Sequence, residues 1–195
     1  MPIPTCPQDC SSELPVVSFS KCNPEVSLSE IRRIFVAKAN AEPFEDWETA
    51  TEWTERISET DVENDNAIRP MTVIADKPAA DGVVQEISDG RNITVGKDHV
   101  INWTVDDVSN VNYEFMRIME CGSQYKIWYE TFGGKLFGGN EGISVSGTAN
   151  SVLNRGRDEI ETIEGTFSWR SKFHPERTDS PIFDSTYSDD VVVED

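Results

Sequence analysis

Between residues 68 and 170 apolar and polar side chains alternate mostly with a period of two, the mark of half-buried strands. Ile68 to Ala75 reads as one strand, stopped by Asp76-Lys77-Pro78. Val83 to Ser88 and Asn92 to Val95 follow. Asp89-Gly90 lies between them, a hairpin signal because both turn positions favour positive φ. His99 to Val105 continues the rhythm, with Ile101, Trp103 and Val105 on one face and Asn102 and Thr104 on the other. After Asp107 the period lengthens. Val111, Phe115, Ile118 and Met119 recur at helical spacing, with Ser109 placed as N-cap, Gly122 as the stop and Cys121 as a buried helix-end residue. Strands resume at Tyr125 to Glu130. Gly133-Gly134 and Gly138-Gly139 bracket Lys135-Leu136-Phe137 as a glycine-rich β-excursion, and Ile143 to Thr148 is a further strand. The clearest strand is Asp158 to Arg170. Ile163, Gly165, Phe167 and Trp169 share one face and Glu164, Thr166, Ser168 and Arg170 the other.

The flanks read differently. Residues 1–30 form an extended arm punctuated by Pro2, Pro4, Pro7, Pro15 and Pro24, in which only Val16 to Phe19 could pair as a strand. A buried strand is expected over Ile31 to Ala37. Thr49-x-x-Glu52 has the form of a capping box and predicts a short helix over residues 50–58, with Trp53 and Ile57 on one side. Asp61, Glu63 and Asp65 alternate as at the start of a calcium loop. Asn66, however, stands where that loop needs Gly, and Thr72 where it needs Glu. The chain divides into the arm, a β-rich domain over 31–181 with an acidic insertion at 41–65, and an acidic tail over 182–195. The expected fold is mainly β: a β-sandwich or partly closed barrel with one flanking α-helix, a long acidic loop and extended terminal arms. Sheets of this kind have margins, and unprotected margins pair with other chains.

Charge sharpens the picture. The 195 residues hold 36 Asp+Glu against 17 Lys+Arg, a net charge of −19. The excess is local. Residues 41–65 carry ten acids (Glu42, Glu45, Asp46, Glu48, Glu52, Glu55, Glu59, Asp61, Glu63, Asp65) against the single base Arg56, and residues 184–195 carry five acids and no base. Phosphate-gripping nucleic-acid binders need clustered Lys/Arg, so that class is excluded. No apolar run is long enough to span a bilayer, and the first ten residues lack the basic and apolar regions of a secretory signal.

Candidate chemistry is sparse. Cys6, Cys10 and Cys22 are the one grouping with metal-ligand character, but C-x3-C and C-x11-C are not zinc-ribbon spacings. A fourth ligand would have to come from Cys121, His99 or His174, far along the chain, so free thiols are the favoured reading. The H-E-x-x-H, G-x-S-x-G and G-x-G-x-x-G patterns are absent, and a lone strand histidine such as His99 is more often packed than catalytic. The residues point to no enzyme and no cofactor.

Three passages carry a family resemblance: Ile31-Arg32-Arg33-Ile34-Phe35-Val36-Ala37-Lys38, Val73-Ile74-Ala75-Asp76-Lys77-Pro78, and Asn154 to Glu161 running into Gly165-Thr166-Phe167-Ser168-Trp169-Arg170. From about Ile31 to Pro181 the chain resembles the tail tube (major tail) proteins of long-tailed bacteriophages, those infecting Bacteroidetes among them. The cysteine-bearing start and the acidic end fall outside the resemblance. It implies a virion structural protein, assembled in the host cytoplasm, whose subunits form rings, commonly of six, that stack into a tube. DNA would pass through a lumen that repels it, and the partners would be further copies and other tail proteins. On that reading Glu42, Glu45, Asp46, Glu48, Glu52, Asp61, Glu63 and Asp65 are inter-ring loop candidates. Glu164, Thr166, Ser168 and Arg170 are lumen candidates, and Arg155 and Arg157 are inter-subunit candidates. Two alternatives share the β-rich pattern: a capsid decoration or other virion binding module, and a carbohydrate-binding sandwich stacking sugars on Trp47, Trp53 or Trp128.

Overall fold

The computed structural model describes residues 26–86, 90, 92–121, 124–153, 155–156 and 160–183. Residues 1–25 of the arm with its three cysteines, residues 184–195 of the acidic tail, Asp89, Gly122 and Arg157 lie outside the described residues, as does the side chain of Cys121.

The strands are β1 (Ile31–Lys38), β2 (Arg69–Asp76), β3 (Asp81–Glu86), β4 (Asn92–Val105), β5 (Gln124–Thr131), β6 (Lys135–Phe137), β7 (Ile143–Val152), β8 (Thr162–Ser171) and β9 (Arg177–Asp179). Two helices interrupt them, α1 (Ala50–Ser58) and α2 (Asn110–Cys121). Every pairing is antiparallel, and the order β1-β2-β4-β8-β7-β5 returns to β1 through a β1–β5 ladder. The result is a closed six-stranded barrel, neither the sandwich nor the partly closed barrel expected from the pattern. The edge-rich sheet is likewise corrected. Closure removes the margins of the six barrel strands. Among the described residues, the outer margins left are those of β3, which hangs on β4, and β9, which follows β6.

The predicted antiparallel pairing of β3 with β4 forms. Glu86 faces Asn92, and Gly90 between them has φ 77°; Asp89, the other half of the predicted turn, lies outside the described residues. Beyond the hairpin, β4 runs unbroken as a strand of 14 residues.

Alternation fills the barrel. Across β4, β8 and β7 the inward rungs are Trp103–Gly165–Ala149 and Ile101–Phe167–Gly147, with His99–Trp169 at one end. Each bulky ring lies beside a glycine. A Cβ on Gly165 would strike the Trp103 indole and the Thr148 carbonyl, which is why a strand this regular carries no side chain there. Ile34, Ile101, Ile127, Phe167 and Met119 are sealed from solvent in this core.

Helix α2 packs on the barrel through Phe115 and Met119 of the predicted stripe, but with Met116 in place of Val111 and Ile118. Met116 and Met119 are buried and Phe115 half-buried, whereas Val111 and Ile118 are 76% and 61% exposed. Two apolar stripes compete on this helix. The one bearing two methionines, whose unbranched side chains fill irregular gaps, is the one the barrel takes.

Helix α1 has the predicted bounds but not the predicted cap. The Thr49 hydroxyl donates back to the Asp46 carbonyl (2.9 Å), and no side chain caps the helix. The Glu52 carboxylate accepts the Glu45 N–H (3.0 Å) and the Arg56 guanidinium (2.5 Å). The acidic segment around α1 is also no free loop. Phe44, Trp47 and Trp53 are buried with Phe35, Ile68, Trp128 and Leu136 in a second core outside the barrel wall. Trp53 stacks on Phe44 at 4.3 Å and meets Trp128 edge-on at 5.6 Å.

Candidate functional site

The outward face of β4, β8 and β7 is a continuous surface of three paired strands. Its rungs follow from strand register. Thr104–Glu164–Asn150, Asn102–Thr166–Thr148 and Val100–Ser168–Ser146 lie side by side, and Asp98–Arg170 extends them. On one flank β2 adds Ile74 opposite Thr104 and Asp76 opposite Asn102. Short hydroxyl and amide side chains dominate, and the Thr148 and Thr166 hydroxyls hydrogen-bond at 2.9 Å. A shallow depression lined by Glu30, Asp76, Asn102, Thr148, Glu164 and Thr166 crosses this face.

Its electrostatics are one-sided. Arg170 is the cation on these rungs, and Asp98 holds it with two bonds of 2.6 and 3.0 Å. That pair keeps the Asp98 carboxyl below its ordinary range, chiefly through the hydrogen bond from Arg170, and raises the guanidinium in turn. Glu164 and Asp76 have no such cation opposite them on the rungs. The face therefore offers hydroxyls, amides and uncompensated carboxylates.

All four lumen candidates fall on this one face, with Glu164, Ser168 and Arg170 exposed and Thr166 half-buried. The sequence pattern also contained their neighbours Ser144, Ser146, Thr148 and Asn150, an unbroken alternation on β7. Arg155 is exposed just before β8.

The acidic residues of 41–65 form a second surface, over the outer core on β1 and β5. Glu42, Glu45, Asp46, Glu48, Asp61 and Glu63 are exposed, and Glu52 and Asp65 are half-buried. Two cations answer them: Arg56 binds Glu52 at 2.5 Å and Lys38 binds Asp65 at 3.0 Å. The carboxylates near Asp61 serve their own loop. Asp61 accepts the Glu63 N–H, and Glu59 accepts the Asp61 N–H and the Asn64 amide, which lowers the Glu59 carboxyl from its ordinary value. These oxygens are used as turn caps, and among the described residues no cluster has the form of a metal site.

The third polar feature is one that the sequence reading missed. Glu130 is completely buried, with its carboxylate 2.8 Å from both Arg32 Nε and Arg33 Nε and 2.5 Å from the Ser180 hydroxyl. Arg33 also donates to the Ile182 carbonyl, and Arg32 lies 4.5 Å over the Phe183 ring. The network straps the chain after β9 onto β1 and β5. Its signals were an acid ending a run of β-formers and two adjacent arginines in a buried strand.

The five tryptophans, Trp47, Trp53, Trp103, Trp128 and Trp169, are all at most 9% exposed. The carbohydrate-binding reading thereby loses the rings it depended on. Comparison of the chain with protein-family models, with curated proteins and with solved structures finds no match.

Proposed function

We propose that this protein is a virion structural subunit of the tail-tube kind, self-associating into rings and stacked rings around a channel that DNA traverses without sticking. The observation that carries the reading is the outward face of β4, β8 and β7. It is regular and built from short polar side chains, Glu164 and Asp76 have no cation opposite them on its rungs, and Arg170 is already held by Asp98. A duplex gains affinity for protein by exchanging counterions for Lys and Arg, and a wall whose arginine is already held by a carboxylate lets the polymer slide. Such a face suits a bore better than it suits a ligand site, since it has neither an enclosed apolar pocket nor converging donors.

The decoration-module alternative shares the barrel but needs no bore. Negative-stain microscopy and sedimentation of the purified chain separate the two. Rings or tubes with an open centre support the tube reading, and compact monomers at every concentration and salt would sink it.

A further inference from the structure

Six of the fourteen described Lys and Arg residues form ion pairs. Arg32 and Arg33 meet Glu130, Lys38 meets Asp65, Arg56 meets Glu52, Lys135 meets Asp179 and Arg170 meets Asp98. One group differs. Lys77 just after β2, Lys97 and His99 on β4, and His174 beyond β8 gather where the His99–Trp169 rung ends the barrel core. Lys77 Nζ sits 5.9 Å from the Trp169 ring, which stacks on His99 at 5.0 Å, and His174 meets His99 edge-on at 5.7 Å. Among the described residues, neither lysine has a carboxylate within ion-pair distance. Asp98, their neighbour on β4, is committed to Arg170. Asp76 and Glu30 line the same cleft as Lys77 and His174 without pairing to them.

These groups act against one another. Burial and the charge of Lys97 hold the Lys77 ammonium below its ordinary pKa. Burial, Lys77 and His174 lower that of His99, outweighing the main chain of Ser171, which favours its protonated form. Both ring nitrogens of His99 are buried without a hydrogen bond of regular geometry. Unpaired like charges around a desolvated imidazole cost the folded subunit stability. In a chain of net charge −19 they are an anomaly that an incoming anion would relieve.

We propose that this cationic rim binds carboxylates, and that the acidic surface over β1 and β5 of a second copy supplies them. The inference rests on the self-association proposed above and names a pair of surfaces for it. Charge complementarity selects the partner. Residues 41–65 hold ten acids against one base, and only Glu52 and Asp65 are in ion pairs among the described residues. The two surfaces belong to different strands, the rim to β2, β4 and β8 and the acids to β1 and β5. A contact between them is therefore head-to-tail, the kind that propagates. Copies that repel overall need such a local match of opposite charge to meet at all.

Two variants test this. Lys77→Glu with Lys97→Glu reverses the rim, and Glu48→Lys with Glu55→Lys reverses exposed positions of the acidic surface. Sedimentation velocity and microscopy report assembly, and circular dichroism reports folding. Each variant alone is expected to need at least tenfold more protein to assemble than the parent. An equimolar mixture is expected to recover assembly, because a reversed rim then meets a reversed surface. If the rim-reversed chain does not fold, Lys77→Met with Lys97→Met takes its place, with the same tenfold weakening expected. A parent that assembles while both variants assemble equally well overturns the rim and leaves self-association standing. Variants that fail alone and also fail when mixed overturn the charge pairing. A parent that stays monomeric throughout overturns both.

Discussion

Glu130 shows how much one buried carboxylate can hold. With Arg32, Arg33 and Ser180 around it, the charge is fully enclosed, and each partner stabilises the others only while all are present. Glu130→Ala is expected to cost about 3–5 kcal/mol, read as a lower urea midpoint, because it leaves a buried guanidinium without its counter-charge. His99 is the opposite case, a buried group with nothing to gain from charge. Its pKa in the folded chain lies below the ordinary 6.5, so the unfolded chain binds the proton first as pH falls. The stability contributed by neutral His99 is complete above pH 6.5. It falls by up to about 1.4 kcal/mol per pH unit below that, until the imidazole of the folded chain titrates. In His99→Phe, urea midpoints between pH 6.5 and 5 are expected to flatten. The lowered carboxyls of Glu59, Asp98 and Asp179 act in a lower window, where stability is lost as they take up protons. That His99 packs in its strand was legible beforehand; its neighbours, and the role of Glu130, were not. An alternating strand says which side a residue faces but not which distant side chains meet it, and the Glu130 partners lie about a hundred positions away in β1.

Elements were more legible than contacts. The bounds of α1, the excursion at Lys135–Phe137 and both faces of β8 follow directly from period and glycine placement. The error on α2 arose because two apolar stripes satisfy the same spacing and only the barrel surface decides between them. Closure was equally hidden, since no local pattern records that β1 pairs with β5 as well as β2. Two substitutions probe what the elements contribute. Trp53→Ala empties the centre of the outer core and is expected to cost about 3–5 kcal/mol, with α1 losing amide-exchange protection before the barrel does. Gly165→Ala forces a methyl onto Trp103 and the Thr148 carbonyl, an overpacking of about 1–3 kcal/mol that should appear as a lower melting temperature. Gly82→Ala, where the added methyl meets open space, is its control and should leave that temperature within a degree or two of the parent.

For the whole molecule the decisive question is which face turns inward. If β4, β8 and β7 line a bore, Ser168→Cys in assembled tubes should react with a small maleimide and resist one carrying a long polymer. Ser58→Cys on the outer appendage should accept both. Equal labelling of the two sites by the bulky reagent would remove the bore from this face. Composition alone had set the polyanionic character of the molecule. It could not say that the acids sit on a folded appendage with its own aromatic core, because burial of Phe44, Trp47 and Trp53 is a property of tertiary packing.

The way the barrel shuts also fixes a timetable. Strand β8 lies between β4 and β7, although both precede it in the chain, so neither can be flanked on that side until residues 162–171 have been synthesised. A nascent chain therefore leaves the ribosome with the longest strand of the molecule half-satisfied, and its pairings span long sequence separations that form slowly. During that interval it is open to premature association with its neighbours, and the arrival of β8 ends it.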